Sequence, residues 1–139
     1  MALQNQELRT ESISESTGGR AIIINADYTT VADVDHLHIM TVADVLDSVY
    51  LEAFNSHGST ININLVLNPI DTAVGANVDA VTVTVAVPRT GSAWLLQGQR
   101  FRLTAGNAYT LAAYVATSDI GYLKVTGWVN RIKSSEMTA

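Results

Sequence analysis

The sequence contains no cysteine. Disulfides, zinc–thiolate sites and thiol nucleophiles are therefore excluded, while the redox compartment stays open. Apolar runs are short, and none approaches the roughly 20 residues of a membrane-spanning helix. Residues 1–10 carry Gln, Asn, Glu and Arg where a secretory signal needs an apolar core, so export by that route is not expected.

Motifs that carry chemistry are also missing from the sequence. There is no Gly-x-Ser-x-Gly elbow and no Asp-x-Asp-x-Asp-Gly calcium loop, and Gly18-Gly19 lacks the strand-to-helix setting of a phosphate cradle. We therefore expect a protein that is not an enzyme, with no cofactor, no catalytic residue and no metal.

Two clusters of side chains nevertheless invite a chemical interpretation. His36 and His38 are two residues apart, which on a strand predicts one shared face, where Asp33 or Asp35 could complete a metal site. An exposed sheet face is the favoured interpretation of these histidines. The acidic half also holds several aspartates, for which loop solubility and turn capping are favoured over general acid–base work: Asp27, Asp33, Asp35, Asp44 and Asp47.

Charge is unevenly placed along the chain. The net charge is −5, with −9 in residues 1–79 and +4 in residues 80–139. The favoured interpretation is an acidic sheet packed on a basic one, and the alternative is self-association through complementary faces. A chain that is acidic overall is a poor candidate for binding nucleic acid.

Apolar and polar residues alternate with a period of two over most of the chain, which indicates β-strands. Hydrophobic residues make up 47% of the 139 residues, enough for one domain with a core. A β-branched run at 22–24 is followed by about eight predicted strands, at 36–42, 47–55, 60–68, 79–87, 93–96, 99–105, 108–116 and 122–132. This spacing predicts an all-β fold, an antiparallel β-sandwich of jelly-roll-like form.

Residues 47–55 and 60–68 are predicted to pair as a hairpin across the turn at 55–58. The domain is predicted to span residues 20–133, with a tail at 134–139. Residues 1–19 are predicted to be an extended arm outside the core, either frayed or ordered against a neighbouring subunit.

Large aromatic side chains recur in the last third of the chain. Trp94, Trp128 and Tyr122 could form a platform on which sugars stack, but a subunit interface needs the same surface and is favoured. The predicted interface residues are Trp94, Arg100, Arg102, Tyr114, Tyr122, Lys124, Trp128 and Arg131.

The order of strands and turns resembles a known group. An apolar pair (Leu95-Leu96), a turn glycine (Gly98), two amphipathic strands and a closing Val-x-Gly-x-Val strand (125–129) follow one another. With the run VYLEAFNSHGSTININLVLN at 49–68 and DAVTVTVAV at 79–87, this pattern is similar to small β-sandwich structural proteins of tailed bacteriophage virions. The match covers residues 47–132.

The resemblance implies a virion protein assembled in the host cytoplasm. The leading role is a capsid decoration (cement) protein, a homotrimer that bridges major capsid subunits and has no nucleic-acid or membrane partner. A neck or tail-fibre attachment protein is an alternative in the same class. A carbohydrate-binding module is the alternative from another class.

Overall fold

The computed structural model describes residues 8–16, 19–27, 35–40, 45–67, 81–102 and 109–133. These residues form nine strands and one short 3₁₀ turn, Thr117–Asp119. The strands are β1 (Leu8–Ser12), β2 (Ile22–Ile23), β3 (Asp35–Met40), β4 (Val45–Asn55), β5 (Ile61–Leu67), β6 (Val81–Val87), β7 (Ser92–Arg102), β8 (Tyr109–Tyr114) and β9 (Leu123–Lys133). The all-β prediction is confirmed, and none of the described residues forms a helix that could cross a membrane.

The strands lie in two antiparallel sheets that enclose one core. Sheet A has the order β1-β9-β4-β7, with β2 also on β9, and sheet B has the order β3-β8-β5-β6. The pairs β2–β9, β3–β8, β4–β7 and β5–β6 are nested one inside the next along the chain. A long hairpin rolled up in this way is a jelly roll. The predicted jelly-roll-like sandwich is therefore confirmed, with β1 as an additional strand.

Alternation places the core between the sheets. Sheet A contributes Val49, Leu51 and Ala53 of β4, all at 0% exposure, together with Leu123, Val125 and Val129 of β9. Sheet B contributes a matching set from β5 and β8: Ile61, Ile63, Leu65, Leu111 and Ala113. The outward residues of the same strands remain at the surface, which is what a period of two dictates.

The predicted hairpin between residues 47–55 and 60–68 is wrong. β4 pairs with β7 and β9, whereas β5 pairs with β6 and β8 in the other sheet. Asn55 holds the crossing, because its side-chain amide donates to the carbonyls of Ser59 (2.9 Å) and Val87 (3.1 Å). β4 and β5 each have one apolar face to bury. In the sandwich these two faces pack against each other from opposite sheets, so both are buried without a hairpin.

Residues 92–102 form one strand rather than the two predicted at 93–96 and 99–105. Gly98 is a bulge inside β7, at a φ of +85°, and the register against β4 shifts there. A second shift next to Leu95 leaves both Leu95 and Leu96 buried. Bulges bend a strand without ending it, so the glycine that suggested a turn instead curves the sheet edge.

The prediction of an arm outside the core does not hold for residues 8–16. β1 pairs with β9 over Leu8–Ser12, and Ile13 is buried in the core at 1% exposure. The chain then crosses to sheet B, where Glu15 N–H donates to the Leu37 carbonyl at 3.3 Å. Residues 1–7 of the predicted arm and the tail at 134–139 lie outside the described residues.

The acidic and basic halves of the sequence do not form separate sheets, so that interpretation is wrong. Sheet A combines β4 from the acidic half with β7 and β9 from the basic half, and sheet B combines β3 and β5 with β6 and β8. Nesting the hairpin pairs early strands with late ones, which brings opposite charges together within one chain.

Candidate interaction surface

The outer face of sheet A is rich in exposed aromatic and aliphatic side chains. Tyr50, Glu52 and Phe54 alternate with the buried residues of β4 and therefore point outward. Trp128 of β9 lies opposite Tyr50, and Trp94 of β7 lies opposite Glu52. Directly opposite residues share a face, so these strands build one continuous outer surface.

Three rings form a cluster at the centre of this face. Tyr50 and Trp128 are stacked with ring centroids 4.9 Å apart and planes 9° from parallel. Trp94 meets Trp128 edge-on at 6.0 Å. Because β4 separates the strands of the two tryptophans by two spacings of about 4.8 Å each, their side chains lean toward each other above β4. Trp94 and Trp128 remain 38% and 39% exposed.

A bulge in β7 makes room for this cluster. A Cβ on Gly98 would lie 3.0 Å from Tyr50 Oη and 3.2 Å from Cζ. The positive φ of Gly98 is also one that other residues adopt only with strain. Position 98 thus needs glycine for two reasons: the bulge requires a positive φ, and the Tyr50 ring occupies the space that a side chain would need.

Apolar exposure continues to one end of the face. Phe54 lies opposite Lys124, which lies opposite Ile23 of β2. Phe54 and Ile23 are 43% and 45% exposed. Beside them, Tyr122 packs edge-on against His57 with centroids 4.2 Å apart. Of the described residues, the only exposed large hydrophobic side chain away from this region is Val83 of sheet B.

The eight predicted interface residues divide into separate groups. Trp94, Tyr122, Lys124 and Trp128 are exposed on or beside the outer face of sheet A, and Arg100 joins them opposite Ser48. Tyr114 lies on sheet B, opposite Asn64. Arg102 lies opposite Leu46 by its backbone, and its side chain is outside the description. Their role as an interface stays a prediction.

Arg131, the eighth residue, is engaged inside the protein. Its Nε and Nη2 donate to Asp47 Oδ1 and Oδ2 at 2.8 and 2.9 Å. Its Nη1 lies 3.5 Å from Glu11 Oε2 of β1. A bidentate arginine–carboxylate pair of this kind fixes both side chains, so the Arg131 charge is largely satisfied within sheet A.

Asp47 is fully buried at 0% exposure, so its interpretation as a solubilising or turn-capping aspartate is wrong. His38 Nε2 reaches its Oδ2 from sheet B at 2.9 Å. Burial by itself would raise the pKa of Asp47, but the hydrogen bonds from Arg131 and His38, together with the charge of Arg131, outweigh burial and lower it. The hydrogen bond to Asp47 in turn raises the pKa of Arg131.

The histidine pair is split rather than shared on one face. The register against β8 shifts between His36 and His38, so that His36 is exposed and His38 is buried at 2%. Among the described residues no group of three His, Asp or Glu side chains could hold a metal ion. Asp35 accepts hydrogen bonds from the backbone of Asn25 and Ala26, while Asp33 and Asp44 lie outside the description.

Ser14, His38 and Asp47 superficially resemble a hydrolase triad. Here the backbone N–H of Ser14 donates to His38 Nδ1 at 3.0 Å. The Ser14 hydroxyl oxygen instead accepts from Ile39 N–H at 2.7 Å. A nucleophile needs its hydroxyl on the imidazole, so these hydrogen bonds instead tie the segment after β1 to β3.

Two features of this surface and its support went unpredicted. The sequence does not distinguish Tyr50 from the other outward residues of its strand, because its contact with Trp128 depends on strand pairing. Asp47 shares the parity of Val49, Leu51 and Ala53, and a carboxylate on a buried face requires a partner. This alternation in the sequence could have indicated that Asp47 is buried and needs a charged or hydrogen-bonding partner.

Comparison with protein-family models gives no match, and comparison with curated proteins gives none either. The geometry defines a class: a jelly-roll β-sandwich with an aromatic outer face and a buried hydrogen bond from a histidine of one sheet to an aspartate of the other.

Proposed function

We propose that this chain is a non-enzymatic structural protein of a tailed-phage virion, a capsid decoration protein that binds major capsid subunits through the outer face of sheet A. The observation that carries the proposal is the cluster of Trp94, Trp128 and Tyr50, whose two tryptophans stay exposed on the outer face of sheet A. Aromatic side chains surrounded by a polar rim are typical of protein-binding surfaces.

Charge and fold support the same role. Glu52, Lys124 and Arg100 lie on the same outer face, opposite Trp94, Phe54 and Ser48. They provide polar groups of the kind that fix register at an interface. Jelly rolls are common among capsid and lectin domains. A decoration protein stabilises its particle by binding only the assembled state, and this requires no active site.

The proposal can be tested by measuring binding to expanded capsids that were assembled without this protein. The wild-type chain should co-sediment with them. Trp128→Ala should bind at least tenfold more weakly, since a central aromatic side chain contributes about 2 kcal/mol or more to the binding free energy. Tyr114→Ala, an aromatic truncation on the opposite sheet, is the control and should bind normally. Absence of co-sedimentation by a folded wild-type chain would contradict the proposal.

The position on the particle distinguishes decoration from the related role at the neck or tail. A reconstruction of the virion should show this chain on the capsid shell, in the threefold arrangement that a homotrimer implies. Density confined to the neck or tail fibres would favour the attachment role.

A carbohydrate-binding function is the second candidate, favoured by the same rings. A sugar stacks on the open face of an aromatic ring, and Trp94 and Trp128 lie within 6.0 Å of each other beside Glu52. Tyr50 already covers one face of Trp128, which leaves less flat surface for a sugar. Tight glycan-array binding by the monomer, lost in Trp128→Ala, would establish this function instead.

A further inference from the structure

Strand β6 forms one edge of sheet B. It pairs with β5 from Ile61↔Val87 to Leu67↔Val81 without a register shift. Within the described ranges, no strand pairs with its other side. An edge strand presents backbone N–H and C=O groups along that side, ready to pair with another strand.

The usual protection of an edge is missing from β6. Edge strands commonly carry lysine, proline, an inward charge or a bulge, but β6 reads VTVTVAV. The neighbouring edge strand β7, by contrast, is bulged at Gly98 and carries Arg100. β3 is the other edge strand of sheet B. Its backbone hydrogen-bonds with Ser14 and Glu15, which cover part of that edge.

Val83 shows what this edge leaves uncovered. It lies opposite the buried Leu65 and so faces the core side of sheet B. Even so it is 42% exposed. A further strand beside β6 would place another side chain next to Val83 and remove this apolar surface from water.

The sequence of β6 is nearly palindromic about Thr84. In an antiparallel pair of two β6 strands centred there, Val83 lies opposite Val85, Thr82 opposite Ala86, and Thr84 opposite itself. β-branched residues then meet on the core side, and small polar or small apolar residues meet on the outer side. The same patch serves both copies, as a two-fold contact requires.

We propose that β6 pairs antiparallel with β6 of a second copy of this chain, about a two-fold axis at Thr84, and so joins two copies of sheet B into one continuous sheet. The pairing does not rest on the virion role. If three copies also associate as proposed above, it joins two such trimers, so the number of chains is even in both cases.

Thr84→Lys tests the axis directly. Thr84 is exposed, so in the single chain lysine costs only the surface hydrogen bond from the Thr84 hydroxyl to Asn64 Oδ1. Pairing, by contrast, would bring two like charges opposite each other. We expect light scattering to show an even number of chains for the wild type and half that mass for Thr84→Lys. Thr82→Lys is the matched control: its lysine meets Ala86 of the second copy, and the wild-type mass should remain.

Charge reversal provides the rescue. Thr84→Glu alone should also halve the mass, whereas an equal mixture of Thr84→Lys and Thr84→Glu should restore it. An odd number of chains in the wild type, equal masses for the lysine variants at 82 and 84, or a mixture that stays at half mass would each overturn the proposal.

A cross-link gives an independent measurement. Because the chain has no cysteine, Thr84→Cys introduces a single thiol. Opposite Cβ atoms in an antiparallel pair lie about 4.5–5.5 Å apart, close to disulfide range. Mild oxidation should convert most Thr84→Cys to a covalent dimer. Thr82→Cys, whose two thiols would be separated along the strands, should cross-link several-fold less, and equal yields would contradict the pairing.

Discussion

His38 and Asp47 connect the two sheets through a single hydrogen bond across the core, with Nε2 and Oδ2 2.9 Å apart. The Ser14 N–H occupies His38 Nδ1, so that nitrogen is an acceptor and the proton lies on Nε2. His38 is therefore a neutral donor to Asp47, and Arg131 supplies the positive charge. The link ties β3, β4, β9 and the segment after β1 to one carboxylate.

Asp47→Asn should destabilise the protein strongly. The substitution keeps the side-chain shape but leaves Arg131 with only the more distant, partly exposed carboxylate of Glu11. Breaking a buried pair in this way costs about 3–5 kcal/mol. Urea unfolding measures the loss. Glu15→Gln removes an exposed carboxylate nearby and should change the free energy of unfolding by less than about 0.5 kcal/mol. Similar values for the two variants would show that the link contributes little.

The Asp47 carboxylate should also make the free energy of unfolding depend on pH. The pKa of Asp47 is lower in the folded protein, so the unfolded chain takes up the proton first as pH falls. The ionised Asp47 carboxylate therefore contributes its full stabilisation above the ordinary aspartate pKa of about 3.9. This stabilisation is lost as the pH falls through the lower pKa that Asp47 has in the folded protein. The free-energy difference between wild type and Asp47→Asn should be constant near neutral pH and shrink in acid. A difference that grows in acid would contradict this sign.

Sequence patterning predicted which residues face the core, because alternation needs only local information. Leu123, Val125 and Val129 of β9 are all buried as their parity indicates. Strand pairing is a different matter. The turn after Asn55 suits a hairpin and a crossing between sheets equally well in length, and only the rolled topology decides between them.

The candidate surface could be predicted in composition but not in arrangement. Trp94 and Trp128 are 34 positions apart in the sequence, and their contact depends on β4 lying between β7 and β9. β1 escaped prediction because it places few apolar residues in its five positions. Its partner β9, rather than its own sequence, determines that it forms a strand.

Gly127→Ala should destabilise the core of sheet A. A Cβ at Gly127 would overlap the Tyr50 carbonyl oxygen and lie 2.7 Å from Leu51 Cδ2. Overpacking of this kind costs about 1–3 kcal/mol, or more where backbone must move. Gly58→Ala is the matched control, since nothing lies within 4 Å of its Cβ position. Thermal unfolding of the two variants should differ clearly, and equal midpoints would refute the close approach of β9 and β4.

Gly98→Ala should disturb the aromatic cluster as well as the backbone. The φ of Gly98 is +85° and that of Gly121 is +88°, so alanine at either position meets similar strain, roughly 1–2 kcal/mol. Only at Gly98 would the new methyl group press on the Tyr50 ring, whereas at Gly121 the nearest atom is Asn25 Oδ1 at 3.9 Å.

The free energy of unfolding should fall by a comparable amount in both variants because of the backbone strain. Only Gly98→Ala should also alter the near-ultraviolet circular dichroism of the Tyr50–Trp128 stack. It should also weaken binding at the outer face of sheet A, while Gly121→Ala leaves it unchanged. An unaltered aromatic spectrum in Gly98→Ala would mean that the bulge does not position Tyr50.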